Sequence, residues 1–217
     1  MNDVVAQKIE TFFGQYRVRQ YAKGQVLILN GDTVDKIYQL VSGKVKQYDV
    51  NYRGEELILN IFKPPAFFPM AYVLNETPSG YIFEAESDLE LRIVPAADVQ
   101  NFLTSNPDVV IDLLGRVYSG VEGILGRLAH IMGSSAKERL LYELVIEARR
   151  FGIFDEAGVC TITTHEKDLA ARAGLSRETV SREMHTLRTA GIVEITGKGI
   201  AILDTHALEA MAHMSNE

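Results

Sequence analysis

The spacing of apolar and polar positions changes twice along the chain. Between about residues 15 and 98 the apolar residues come in short runs, QVLILNG, KIYQLVSGKVKQYDV, ELILNIF and YIFEAESDLELRIVP, rich in Val, Ile, Leu and Tyr. Turn residues separate them at Gly24, Gly31–Asp32, Ser42–Gly43 and Arg53–Gly54, and Leu89, Leu91 and Ile93 alternate with polar neighbours as in a half-buried strand. Short strands at this spacing predict an antiparallel sandwich or jelly-roll barrel. A short helix, AADVQNFLTSN, leads away from it.

From Pro107 the period becomes helical. Val110, Leu114, Val117, Val121, Ile124, Leu128 and Ile131 are separated by 4, 3, 4, 3, 4 and 3 residues, an unbroken heptad seam that predicts a parallel homodimer. Pro107 suits the first turn of such a helix. A helix packed only on its own barrel needs a wider stripe, which Leu113 and Leu125 can supply, so both kinds of packing are compatible with the pattern. Gly115, Gly120, Gly123 and Gly126 lie on this helix although each costs about 1 kcal/mol relative to Ala; another backbone or a ligand coming close is one explanation, looseness the other. Gly133, Ser134 and Ser135 interrupt the seam and form the expected hinge. Gly133 is expected to end the helix in the left-handed conformation, and Ser135 with Glu138 to form a capping box for AKERLLYELVIEARRFG.

In the last third, Thr163 and Glu166 predict a second capping box, opening a helix HEKDLAARAG with Leu169, Ala170 and Ala173 on its inner face and Gly174 at its end. Leu175 spans a tight turn, Ser176 caps a further helix RETVSREMHTLRTA, and Gly191 closes it. Small residues at the crossing and a glycine in the turn are what a helix-turn-helix needs. IVEITGKGIAILD adds two β-rich runs around Gly197–Lys198–Gly199, a hairpin, so the unit reads as a winged helix-turn-helix. The fold class is therefore α+β: an antiparallel jelly-roll barrel over 1–106, a dimerisation helix over 107–133 and a winged helix-turn-helix over 134–217.

Composition narrows the classes. The 217 residues, 47% hydrophobic and 24% charged, describe a globular protein with room for one large or two small domains. An N-terminus with charges throughout and no apolar core reads as no signal peptide, and no run is long enough to span a bilayer; the expectation is a cytoplasmic protein without a membrane partner. Cys160 is the single cysteine, which excludes an internal disulfide and a four-thiolate cluster; it reads as a buried thiol. The first histidine is His130, so nothing in the barrel segment supplies an imidazole to a metal or haem. No metal site and no catalytic constellation of His, Cys and acid residues is evident, and an enzyme is the weakest reading.

A formal net charge of −7 argues on its face against a polyanionic ligand, yet the chemistry of the last helices points to one. The first turn of a recognition helix enters the major groove. Arg177 and Arg182 offer planar forks for guanine O6 and N7, and Glu178 can accept from a cytosine N4 amine. Ser176, Thr179 and Ser181 are short enough for phosphates or base edges, and Lys198 sits at the wing tip. Across the module Lys167, Arg172, Arg177, Arg182, Arg188 and Lys198 nearly balance Glu166, Asp168, Glu178, Glu183 and Glu194, which predicts modest non-specific affinity. The competing class is a ligand-binding or scaffolding module whose winged domain contacts protein.

LSRETVSRE, with DLAARAG before it and the wing after it, resembles the DNA-binding domain of the cyclic-AMP receptor/fumarate-nitrate regulator (CRP/FNR) family. Barrel, long helix and winged domain resemble that family in order and size over nearly the whole chain. The resemblance implies a homodimeric transcription regulator, double-stranded DNA as partner and RNA polymerase as a further one. It also implies that residues matching Arg177, Glu178 and Arg182 read a TGTGA-like half-site, or those matching Glu178, Ser181 and Arg182 a TTGA-like one. The chain carries both sets, so the expected target is a palindrome of TG(T/A)-type half-sites, the two remaining open.

The chain departs from the family in its effector cassette. Cyclic-nucleotide sensors of the family carry a Gly-Glu pair for the ribose and an Arg-Ser or Arg-Ala about ten residues on for the phosphate. Here Pro69–Met70 and Ser79–Gly80 stand in those places within PPAFFPMAYVLNETPSGYIFEA. A buried phosphate without arginine is costly, and Pro69 has no amide donor. Cyclic AMP, an iron–sulfur cluster and haem held by a barrel histidine are all disfavoured, and no cofactor is evident. Phe67, Phe68, Met70 and Tyr72, if they face inward, line an apolar pocket for a small effector acting on the hinge; alternatively they fill the core and no effector is needed.

Overall fold

The structure, a computed structural model, describes residues 3–52, 54–197 and 199–213. Contacts divide the chain into Met1–Glu122 and Gly123–Glu217. Among the described residues the first unit holds eight strands: β1 (Val18–Tyr21), β2 (Val26–Ile28), β3 (Lys36–Ser42), β4 (Val45–Val50), β5 (Glu56–Phe62), β6 (Ala66–Phe68), β7 (Ile82–Ala85) and β8 (Leu89–Pro95). They pair antiparallel as two four-stranded sheets, in the orders β1-β8-β3-β6 and β2-β7-β4-β5.

The two sheets share one core. Leu40, Phe68, Leu89 and Leu91 from the first meet Ile28, Val45, Phe83 and Ala85 from the second. Three rings lie in near-parallel succession through it: Tyr38 on Phe68 at 5.3 Å, and Phe68 on Phe83 at 5.6 Å between centroids. The β3–β4 turn depends on Gly43, at φ 86°: a Cβ there would stand 2.4 Å from the Asp88 carbonyl oxygen, so only glycine closes it.

On the other side of the first sheet a second apolar layer joins Ile37 and Val94 to helix α1 (Asp3–Phe13), α2 (Met70–Asn75) and α3 (Ala96–Ser105). α1 buries Val5, Ile9 and Phe13, a spacing of one helical turn that the strand-centred reading of this region passes over. Helix α4 (Pro107–Gly133) follows; Val109 and Leu113 join this layer. The division between the two units falls inside α4, between Glu122 and Gly123, and not at its ends.

The second unit contains α5 (Ala136–Phe151), β9 (Ile153–Phe154), β10 (Cys160–Ile162), α6 (Glu166–Ala173), α7 (Arg177–Thr189), β11 (Val193–Thr196), β12 (Gly199–Ile202) and α8 (Thr205–Met211). Its sheet runs β11-β12-β10-β9. β12 is buried at every position because it lies between the wing partner β11 and β10. At Gly199 a Cβ would stand 2.2 Å from the Ile162 carbonyl oxygen, so the wing strand approaches β10 only without a side chain there. Cys160 is a buried free thiol, its pKa raised by burial.

Two local expectations are corrected. Gly133 is the last residue of α4 but is absent from the positive-φ residues; the Ser134 amide instead donates to the His130 carbonyl at 3.0 Å. α6 opens on His165, whose side chain makes no cap, so Thr163 is not the N-cap residue. Within the single chain Gly115, Gly120 and Gly123 meet nothing within 4 Å among the described residues, and Gly126 meets Tyr142. The Ser135–Glu138 capping box forms in full. Among the described residues no helix is long and apolar enough to cross a membrane.

Phe68, 1% exposed and stacked on both sides, is the ring this core can least lose. Phe68→Ala is expected to lower stability by about 3–5 kcal/mol, read as a shift in the urea midpoint with unchanged slope.

Candidate nucleic-acid interface

α7 is amphipathic in a way that settles its orientation. Val180, Met184 and Leu187 are at most 2% exposed, in one core with Leu140 and Leu144 of α5 and Leu169 of α6. The opposite face, Arg177, Glu178, Ser181, Arg182, His185 and Thr186, is exposed, with Thr179 half-buried beside it. Gly174, at φ 61°, ends α6 in the left-handed conformation, and Ser176 starts α7 two residues later. The Ser176 hydroxyl accepts from the Thr179 amide at 3.2 Å and lies 3.1 Å from the Thr179 hydroxyl. Both hydroxyls thus stand at the positive end of the α7 dipole.

Glu178 belongs to that first turn. Its carboxyl is held below the ordinary carboxylate range by its own backbone amide, then by the Ser176 hydroxyl and by Arg177, so it is an ionised acceptor at neutral pH. Arg182 is 70% exposed in its side chain, with a 3.4 Å contact to Glu183 as its ion pair among the described residues. Both arginines project their guanidinium groups from one exposed helix face, with the acceptor Glu178 between them. Lys198 lies outside the described residues; β11 and β12 flank it, with Thr196 registered opposite Gly199.

Arg172 does not join the exposed basic groups. It is 5% exposed and turned inward, where one nitrogen donates to Glu147 of α5 at 2.8 Å and another to the Thr164 hydroxyl. The free cationic face is therefore smaller by one charge than a count of basic residues suggests.

Along α4, Val110, Leu114, Val117, Val121, Ile124 and Leu128 are all between 40 and 63% exposed; the Ile131 side chain lies outside the described residues. Leu113 packs on the first unit while Leu125 remains exposed, so own-barrel packing takes one flank and leaves the heptad seam bare. At the hinge, Gly133 and Ser135 are exposed and Ser134 half-buried.

The four aromatic and methionine residues of the expected effector pocket do not share one. Phe67 and Phe68 are neighbours on β6, and strand alternation sends them to opposite faces. Phe68 and Tyr72 join the core between the sheets, whereas Phe67 and Met70 join α1 and α3 around a gap of about 10 Å³. Ser79 is 2% exposed; its hydroxyl donates to the Tyr81 carbonyl at 2.7 Å and its amide to the Asp32 carbonyl at 2.9 Å.

Barrel and winged module together put the chain in the class of DNA-binding transcription regulators. Comparison with known proteins narrows this. The family model for the cyclic nucleotide-binding domain matches residues 18–106, and that for the Crp-like helix-turn-helix domain matches residues 138–211. The chain is 28% identical to the global nitrogen regulator of Synechococcus elongatus, covering 88% of each chain. It is 26% identical to the cyclic AMP receptor protein of Thermus thermophilus, over 95% of this chain and 93% of that one. Among solved structures it resembles the c-di-GMP-responsive regulator CLP of Xanthomonas campestris, with a TM-score of 0.80 at 18% identity over 92% and 99% of the two chains. A CRP/FNR-family regulator of Thermus thermophilus superimposes with a TM-score of 0.76 at 22% identity, over 91% and 98%. The chain belongs to the CRP/FNR family of transcription regulators, a non-enzymatic family.

Ser176 is exposed, so its capping contribution is separable from packing. Ser176→Ala is expected to cost about 1 kcal/mol and Ser176→Gly only a few tenths, measured by chemical denaturation of the two variants side by side.

Proposed function

We propose that this regulator acts in the cytoplasm as a homodimer that reads a palindrome of TG(T/A)-type half-sites through paired α7 helices, under control that does not use cyclic AMP. The observation that carries the reading is the outward face of α7, where Arg177, Glu178, Ser181 and Arg182 stand exposed beside a capped helix N-terminus. Arg177 and Arg182 supply bidentate donors for guanine, and ionised Glu178 accepts from cytosine N4. Ser176 and Thr179 hold the neighbouring phosphates, where α7's amide donors point, and Lys198 at the wing tip adds a phosphate contact.

Homodimer formation is supported by the bare seam on α4. Six large apolar side chains in heptad register exposed to water are a liability unless a second copy covers them. A two-fold symmetric pair then presents two recognition helices to successive major grooves.

Three features support control without cyclic AMP. No arginine stands between Arg53 and Arg92, so the cassette segment offers a phosphate no guanidinium. Pro69 has no amide hydrogen, and the Ser79 hydroxyl is already donating to the Tyr81 carbonyl. Tyr38, Phe68 and Phe83 fill the space between the sheets with stacked rings. These residues do not fit a cyclic nucleotide. An iron–sulfur cluster and barrel-histidine haem fare no better, for want of cysteines and imidazoles before residue 130. RNA polymerase is the further partner that family membership suggests.

Arg177→Ala and Arg182→Ala are each expected to weaken binding to a selected operator by about 1–3 kcal/mol and to relax preference at one base pair, as read by gel shift against an operator panel. Unchanged affinity in both variants would remove base readout through them. A charge in the seam, Val121→Glu, is expected to give a monomer in sedimentation velocity and to abolish operator binding at concentrations where the unaltered chain is saturated.

A further inference from the structure

Within the second unit, the last turns of α4 are fastened to α5 by three contacts at heptad positions off the seam. Gly126 lets the Tyr142 hydroxyl approach to 3.3 Å of where a Cβ would stand. The His130 ring stacks on the Tyr142 ring at 4.1 Å. Arg127 pairs with Glu143 at 2.8 Å. One turn further along α5, Glu147 pairs with Arg172 of α6 at 2.8 Å. Glu143 and Glu147 are 3% and 4% exposed; Arg172 is buried with them, while Arg127 reaches its partner from a half-buried position, its side chain 19% exposed.

Two carboxylates at i and i+4 on one buried helix face, each bound to an arginine from a different helix, form a continuous ladder: α4, α5, α6. Burial pushes the Glu143 carboxyl up, against the pull of Arg127 and Arg172. Arg150 lies near enough to both carboxylates and both arginines to be affected by them. Removing one member leaves the others as buried charge without full compensation, so the ladder holds all its contacts or reorganises as a unit. α6 in turn packs on α7 across the Gly174 turn, so what fixes α6 fixes the reading helix.

We propose that Arg127, Glu143, Glu147 and Arg172 are positioning residues that fix the angle between the end of α4 and the recognition helix, and so set which half-site spacing the dimer accepts. They touch no base. This rests on the DNA-binding reading above. With the ladder intact, both recognition helices stand at one separation. With it broken, each winged module turns about Ser134–Ser135 and the dimer accommodates several separations, paying for the added freedom in affinity.

Two variants test this from opposite sides. Arg127→Met/Glu143→Leu removes the charge pair without leaving a lone buried charge. Gly126→Val leaves the charges and wedges α4 from Tyr142, at a heptad position outside the seam. Folding is followed by circular dichroism and dimer formation by sedimentation velocity. Binding is measured on operators selected by the unaltered chain, with half-site spacing altered by one base pair either way and, separately, with one half-site base exchanged.

The unaltered chain is expected to prefer its own spacing by about tenfold or more, and each variant by about threefold or less, while the cost of the exchanged base stays the same in all three. Folded, dimeric variants that keep the full spacing preference would overturn the proposal. So would variants that lose base discrimination and spacing preference together, since that is general damage to the module. If the charge-pair variant does not fold, the wedge variant alone decides. If the unaltered chain selects no DNA at all, the DNA-binding reading itself fails and takes this proposal with it.

Discussion

The burial of Val180, Met184 and Leu187 is the constraint on which the site depends. Each contributes about 1.5–3 kcal/mol by leaving water, and together they fix the rotation of α7 about its own axis. Turning the helix by one residue would expose this stripe and drive Arg182 or Glu178 toward the apolar core of α5, where an unpaired charge is far more costly than the packing gained. The reading face is therefore what remains outside once the apolar stripe is satisfied. Ser176 and Gly174 then set where the helix begins.

The elements legible from sequence are those whose signal is periodic and local. α4, α6, α7 and the wing follow from helical or alternating spacing bounded by glycine. β9, β10 and α8 lack that length: Cys160–Ile162 becomes a strand because β12 offers an edge to pair with, Ile153–Phe154 because β10 offers the next one, and α8 forms on a single Asp204 cap. The first cap of α6 is ambiguous for a different reason. Thr163, Thr164 and His165 are adjacent; α6 starts after His165, whose backbone is extended, while Thr164 is buried against Arg172. Arg172 itself is three residues beyond buried Leu169, on the inner face by helical spacing; its type argues for water, and only a carboxylate 25 residues earlier reconciles the two. Glu143 and Glu147 carry the same signal, lying three and seven residues after buried Leu140.

In the barrel, type and spacing identify the strands but not which side of a strand a given residue takes. Phe67 and Phe68 make the point: adjacent and chemically identical, they end in different cores because β6 alternates. The register that decides between them is Tyr38 opposite Phe68 and Gln39 opposite Phe67, a pairing some thirty positions apart that no local pattern encodes. The same register lines Tyr38 up with Phe68 and carries the stack on to Phe83.

The charge balance can now be reconciled with a DNA ligand. With Arg172 internal, helices α6 and α7 offer Lys167, Arg177, Arg182 and Arg188 to solvent, too few phosphate contacts to hold DNA by counterion release alone. Affinity must then come from base contacts, each worth about 1–3 kcal/mol of discrimination, and one module makes only a handful. Two modules on one duplex change the arithmetic, because the second binds at the effective concentration set by its tether to the first. That gain is realised only if the separation of the modules matches the operator. In the proposed dimer, an acidic chain with a sparse cationic face would depend on its apolar seam and on whatever fixes the module angle more than a strongly basic one does, and non-specific binding would be weak in return.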